Sequence, residues 1–238
     1  MKRLLVIIFL AISFLFVSHS KSYGQIAYLV LIFGDKLANE NFYFTAVGGF
    51  SVNFPGDYMN SSPGVGVNFG FIANIRINQK LFFAPEFVPF SLYRINHVER
   101  INTGNPDIDP LFKSATSIKR AYQFELPVTL RYQMTDHFAV SGGPYIGFWT
   151  SVKNKYTDKI DDDKIEYTQD VGDNFETLDF GFVADVSFSL TKKVWKGPFL
   201  RLRYKQGLRD MYKPSGEIYS STLTLQLALP FVETAKCP

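Results

Sequence analysis

The alternation of polar and apolar residues constrains the fold of this chain more than any other feature. It is clearest in the stretch QFELPVTLRYQM, from Gln123 to Met134, where every second residue is large and apolar. Successive side chains of a β-strand point to opposite faces. The stretch therefore predicts a strand with one apolar face and one polar face, and the polar face carries Glu125 and Arg131.

The same alternation predicts eight strands, and no comparable helical periodicity interrupts them. The predicted strands span residues 42–54, 64–77, 81–93, 118–133, 138–151, 175–190, 199–208 and 219–231. Their connections alternate between short (78–80, 134–137, 191–197) and long (55–63, 94–117, 152–174, 209–218). Short turns at one end and long loops at the other are typical of outer-membrane barrels. We predict an all-β, eight-stranded antiparallel up-and-down transmembrane β-barrel over residues 42–231, with short periplasmic turns and long external loops.

The charges on the polar faces indicate which face meets lipid. A soluble barrel would have to pack the apolar rows of every strand into an interior with room for few side chains. A barrel in lipid turns those rows outward and encloses a charge network of nearly balanced sign. The residues predicted to form this lumen network are Arg76, Glu86, Glu125, Arg131, Asp179, Asp185, Arg201, Arg203 and Lys205.

Aromatic residues gather near both ends of the predicted strands, as expected for rings at two membrane interfaces. The group near the long loops comprises Phe54, Tyr93, Tyr122, Phe148, Trp149, Phe175, Tyr212 and Tyr219, and the group near the short turns comprises Phe42, Tyr132, Phe138, Trp195 and Phe231. Both groups are predicted to face the membrane.

The first 24 residues have the layout of a secretory signal peptide: Lys2 and Arg3, an apolar run, and small residues before Gln25. We expect cleavage after residue 24, a periplasmic segment over 25–41, and a tail over 232–238 after the barrel. The removed segment holds three basic residues and no acid, so the formal net charge falls from +3 to zero. The pI of 8.8 therefore does not indicate nucleic-acid binding.

Catalytic and metal-binding residues are scarce. His97 and His137 lie in predicted connections without a fixed motif around them, and the acidic stretch 157–174 lacks the spacing of a calcium loop. We expect no enzymatic activity, no cofactor and no metal site.

Four short motifs add a family resemblance: ELP at Glu125–Pro127, GGPYIG at Gly142–Gly147, DFGFVAD at Asp179–Asp185, and the closing TLTLQLALPF. With these motifs the chain resembles the PorT-like small outer-membrane β-barrels of the Gram-negative cell envelope. The resemblance implies an eight-stranded barrel assembled by the barrel-insertion machinery. One branch of that family takes part in protein secretion.

The leading functional hypothesis is a structural or interaction role in the outer membrane through loops 94–117 and 152–174. The partners expected are outer-membrane lipid and envelope or secretion proteins. A narrow, porin-like channel and a soluble periplasmic ligand-binding barrel are the alternatives.

Overall fold

A computed structural model describes residues 41–55, 61–96, 107, 109–112, 115–160, 163–191, 197–213 and 219–231. The predicted signal peptide, nearly all of the predicted segment 25–41, and the tail 232–238 lie outside these residues. Among the described residues, no helix is long and apolar enough to cross a membrane.

The described chain is built almost entirely of β-strands. They are β1 (Phe42–Phe54), β2 (Ser62–Arg76), β3 (Leu81–Asn96), β4 (Thr116–Gln133), β5 (Phe138–Ile160), β6 (Asp163–Asp170), β7 (Leu178–Ser189), β8 (Phe199–Asp210) and β9 (Tyr219–Phe231). Two short 3₁₀ helices lie between strands, at Asp109–Phe112 and Gly172–Asn174.

Eight of these strands close into a ring in the order β4-β3-β2-β1-β9-β8-β7-β5, because β4 also pairs with β5. Every pairing is antiparallel. The predicted eight-stranded up-and-down barrel is therefore confirmed. Closure leaves no open edge in the ring, which a structure in hydrocarbon requires.

The ninth described strand corrects the predicted loop at 152–174. β5 continues to Ile160, and β6 pairs with it alone, from Ile160↔Asp163 to Lys153↔Asp170. Much of this connection is a hairpin that extends the wall of the barrel. The following strand begins at Leu178 rather than at residue 175.

Tight turns mark one end of the barrel, which we call the turn end; the opposite end is the loop end. In the turn between β2 and β3, the Asn78 side chain accepts hydrogen bonds from the backbone N–H groups of Lys80 and Leu81, both at 2.9 Å. Thr135 Oγ1 accepts from Phe138 N at 3.0 Å in the turn between β4 and β5. Such side-chain bonds stabilise short turns.

The apolar rows face outward, as predicted for a barrel in lipid. On β4, Leu130 is 51% exposed and Tyr132 is 46% exposed, whereas Glu125 and Arg131 are 5% and 4% exposed. The soluble-barrel alternative needed the opposite arrangement and is therefore wrong. Ten residues separate Tyr122 from Tyr132, about 33 Å along the strand. At the usual strand tilt this gives a belt about 25 Å tall, the height of the apolar band of outer-membrane barrels.

The barrel interior has three layers. The layer at the turn end is apolar and comprises Tyr43, Val47, Ile72, Phe82, Ala84, Ala139, Phe199 and Ala228. Charged and polar side chains fill the middle, and a second apolar cluster lies at the loop end. The middle layer holds most of the residues predicted to form the lumen network.

Candidate functional site

An ion cluster crosses the lumen between opposite walls. Glu86 lies on β3 and faces Arg201 and Arg203 on β8, four strands away in a ring of eight. Arg201 donates from Nη1 to Oε1 at 2.8 Å and from Nη2 to Oε2 at 3.1 Å. Arg203 donates from Nη1 to Oε2 at 2.9 Å and from Nη2 to Oε1 at 2.6 Å. Each guanidinium group therefore makes a bidentate contact with the Glu86 carboxylate, and this fixes the orientation of both arginine side chains.

Asp185 completes the cluster from β7. It is the direct cross-strand partner of Arg203, whose Nε lies 2.5 Å from Oδ1 and whose Nη2 lies 2.8 Å from Oδ2. Ser141 donates to Oδ2 at 2.9 Å, and Arg201 Nη1 lies 3.8 Å from the same oxygen. Two acids thus face two arginines with all four side chains buried. Buried ions need this pairing, because an unpaired charge there is costly.

A second ion pair lies closer to the loop end. Lys205 on β8 donates from Nζ to Glu125 Oε1 at 2.7 Å and to Gln123 Oε1 at 2.6 Å. The same ammonium group lies 5.3 Å from the centre of the Tyr145 ring. This pair links β8 to β4 across the lumen and again leaves no net charge.

Asp179 is a further buried acid of the lumen, and its hydrogen-bond donors are neutral side chains. Its Oδ2 accepts from Gln123 Nε2 at 2.8 Å, from the Tyr145 hydroxyl at 2.9 Å and from Ser220 at 3.0 Å. Gly147 makes this arrangement possible, since a Cβ there would lie 2.4 Å from Gln123 Nε2. Gln123 therefore connects Asp179 to Lys205.

The structure places the last two predicted network residues differently. Arg131 is buried nearer the turn end, where Nη2 donates to the Tyr43 hydroxyl at 2.5 Å and the guanidinium lies 4.7 Å from the Phe82 ring centre. Arg76 is exposed at the end of β2, with its guanidinium carbon 5.4 Å from the centre of the Phe82 ring. It does not join the cluster, because β2 ends at Arg76 and the adjoining turn is open to solvent.

An aromatic cap closes the loop end of the lumen. It comprises the buried residues Tyr93, Ile95, Ala121, Trp149, Val152, Phe175 and Met211. The Tyr93 and Trp149 rings meet edge to face with centroids 5.7 Å apart. Lys119, also buried, holds its ammonium group 4.4 Å from the centre of the Phe175 ring.

The cap corrects the predicted aromatic girdle, because Tyr93, Trp149 and Phe175 point inward rather than to the membrane. For Trp149 the sequence did indicate an inward side chain, because Trp149 directly follows outward-facing Phe148 in the strand and successive residues face opposite sides. For Tyr93 the signal was weaker and consisted of Pro89, because proline within a strand is found at bulges, edges and strand starts. A β-bulge between Val88 and Ser91 reverses the facing of the rest of β3.

Little space remains between these layers. A cavity of about 10 Å³ lies beside Glu86, Arg131 and Arg201, bounded toward the turn end by Ile72 and Phe199. That is about the room needed for one water molecule. Beside the ion cluster the lumen is therefore filled by side chains.

Other candidate groups are not brought together. His97 lies outside the described residues, and half-buried His137 has Nδ1 3.3 Å from the Ser189 carbonyl oxygen in a turn. Within the described ranges, no three His, Cys, Asp or Glu side chains are grouped so that they could hold a metal ion.

Solved structures of three outer-membrane proteins are similar to this chain at low sequence identity and low TM-score. Ail of Yersinia pestis is 10% identical, with 79% of this chain and 97% of Ail covered at a TM-score of 0.39. Neisserial surface protein A is 13% identical, with 80% of this chain and 97% of that protein covered at a TM-score of 0.41. OprG of Pseudomonas aeruginosa is 8% identical, with 82% of this chain and 98% of OprG covered at a TM-score of 0.38. None of the curated proteins with which the sequence was compared matches it. Residues 35–213 match the family described as outer membrane protein beta-barrel domain, so the chain belongs to this family of outer-membrane barrels.

Proposed function

We propose that this protein is a closed outer-membrane scaffold that conducts no solutes and acts through the structures at its loop end. The observation that carries the proposal is the ion cluster of Glu86, Asp185, Arg201 and Arg203, which joins opposite walls across the lumen. A pore needs a continuous wet path, and these side chains occupy its middle.

The cap and the turn-end layer support the same conclusion. Buried Trp149 and Tyr93 lie between the ion cluster and the loop end, and buried Phe82 and Phe199 lie on its other side. A permeating solute would have to displace both apolar layers and break two-point ion pairs. Small eight-stranded barrels with side-chain-filled interiors are not built for bulk diffusion.

The hairpin formed by β5 and β6 supports an interaction role. It extends beyond the ring. The Glu166 carboxylate stabilises it through two salt bridges, from Lys155 Nζ to Oε2 at 2.7 Å and from Lys164 Nζ to Oε1 at 2.6 Å. A rigid barrel that carries polar extensions at one end is a common way to present a binding surface. We propose that the loop end faces outward and contacts envelope or secretion partners.

Single-channel recording in planar lipid bilayers tests the closed scaffold. The refolded protein should give no stepwise conductance, and liposomes that contain it should not swell in sugar solutions. A porin of known conductance refolded in the same way is the control. Reproducible conductance steps from the wild-type protein would contradict the proposal and favour the narrow channel.

We also propose a subfamily and an export route for this protein. The PorT-like motifs support a place in that group, and the basic and apolar N-terminus supports export with cleavage after residue 24 and insertion by the barrel-insertion machinery. N-terminal sequencing of the protein recovered from outer membranes tests the cleavage. A mature N-terminus at Gln25 is expected, and retention of Met1 would contradict it.

A further inference from the structure

Three basic side chains form a row across the outer wall of the barrel at the loop end. Arg94 on β3 is the direct partner of Arg120 on β4, and Arg120 is the direct partner of Lys153 on β5. The residues that flank each of them along the strand are buried in the interior, so all three side chains point outward. We call these residues the basic row.

The basic row is an unfavourable arrangement by itself. Directly opposed residues on neighbouring strands have Cβ atoms about 4.5–5.5 Å apart, and like charges there are destabilising. In the part of the chain that the structure describes, no carboxylate lies within 4.0 Å of any of the three. Asp170 is opposite Lys153 on β6, but its Oδ1 accepts from the Gly172 backbone N–H at 2.9 Å.

The hydrogen bonds of the two arginines also leave donors for a ligand. Arg94 donates from Nε to Asn96 Oδ1 at 3.2 Å. Arg120 Nε is buried and has no hydrogen-bond partner in the described structure. A buried donor of this kind is costly unless something accepts its proton. An oxyanion between the two guanidinium groups would satisfy it.

The depth of the basic row in the membrane indicates which kind of molecule carries that anion. Arg120 lies two residues beyond Tyr122, which marks the edge of the apolar belt and packs against Phe90 with ring centroids 5.6 Å apart. Two residues span about 6.6 Å along a strand. The basic row therefore lies at the depth of lipid headgroups, just outside the hydrocarbon.

We infer that the basic row binds the phosphate of an anionic lipid headgroup in the leaflet around the loop end. Arginine presents paired N–H donors that match two phosphate oxygens, and lysine adds a point charge. A phosphate at Arg94 and Arg120 would neutralise the repulsion along the row and accept from the unpaired Nε. This site lies on the outer wall and is independent of whether the lumen conducts.

The test compares two double variants refolded in two kinds of vesicle. R94Q/R120Q removes two charges of the row, and R76Q/K80Q removes two exposed charges at the turn end as the matched control. The vesicles are phosphatidylcholine alone or phosphatidylcholine with phosphatidic acid. The readout is the temperature at which the folded band is lost on an unboiled gel. A third arm adds inorganic phosphate to the phosphatidylcholine vesicles.

Phosphatidic acid should raise the melting temperature of the wild-type protein and of R76Q/K80Q, and R94Q/R120Q should lose that rise. In phosphatidylcholine alone R94Q/R120Q should melt at or above the wild-type temperature, because the repulsion is relieved. A full rise in R94Q/R120Q would overturn the inference, as would equal losses in both variants. An equal rise with inorganic phosphate would show an anion site that does not select lipid, which also overturns it.

Discussion

Replacement of Glu86 by glutamine should destabilise the barrel more than any change to a surface ion pair. The carboxylate accepts four hydrogen bonds, at 2.6–3.1 Å, from two buried guanidinium groups. Glutamine keeps the shape but has no charge and one acceptor oxygen, so Arg201 and Arg203 would share Asp185 alone. Breaking one partner of a buried ion pair costs about 3–5 kcal/mol. We expect the free energy of unfolding of E86Q to fall by that amount.

Urea unfolding in lipid vesicles, followed by the mobility of the folded band on an unboiled gel, measures this change. The matched control is E176Q, since Glu176 pairs with Arg209 at 2.8 Å while both side chains are about one-third exposed. Such pairs contribute about 0–1 kcal/mol. E86Q/R203M should lose less than the two single changes added together, because it removes a positive charge along with the negative one. Equal, small losses in E86Q and E176Q would refute the reasoning.

Two further predictions concern the outer surface and the hairpin. Val128 lies near the middle of the apolar belt and Tyr132 at its turn-end edge. V128R should therefore lower the free energy of unfolding by about 2–4 kcal/mol, and Y132R by about 0–1 kcal/mol. Similar losses for both variants in the same urea assay would contradict the lipid-facing assignment. Hydrogen bonds from Lys155 and Lys164 lower the pKa of Glu166 from its ordinary value of 4.5 to about 2. Because the folded hairpin favours the carboxylate, its stabilising contribution should be complete above pH 4.5 and be lost as the pH falls from 4.5 toward 2. The side-chain carboxyl NMR signal of Glu166 should therefore titrate near pH 2, and a midpoint near 4.5 would show that the two lysines do not hold it.

Much of the barrel could be predicted because period-two alternation is a local property of the chain. The outward row of β4 and the inward position of Glu125 and Arg131 follow directly from it. The same alternation placed Asp179 and Asp185 on one face of β7. It also placed Arg201, Arg203 and Lys205 on one face of β8. The regular order of short and long connections predicted the up-and-down order of the strands, and closure followed because hydrocarbon does not tolerate open strand edges.

Other features depend on information that alternation does not carry. The bulge in β3 changes which face Tyr93 occupies. Pro89 lies within the bulge, but a proline in a strand is equally compatible with an edge strand or a strand start, so alternation alone did not place it. The β6 strand has a polar, acidic sequence typical of a loop, and its pairing with β5 becomes favourable through cross-strand contacts such as Lys155 with Glu166. The partners within the ion cluster also depend on the size of the ring. In this closed ring of eight, β3 and β8 lie on opposite walls, which brings Glu86 opposite Arg201.

The pairing of β1 with β9 has a consequence for how the protein folds. Phe44 is the cross-strand partner of Phe231, so the seam joins the two ends of nearly the whole barrel sequence. Contacts between residues so far apart in the chain form slowly, because the intervening loop must first lose its conformational freedom. Until β9 is in place, β1 and β8 present unpaired backbone groups that hydrocarbon does not tolerate. Pairing of β9 with β1 and β8 is thus the step that closes the ring, and a chain truncated before Tyr219 should remain an aggregation-prone sheet with two open edges.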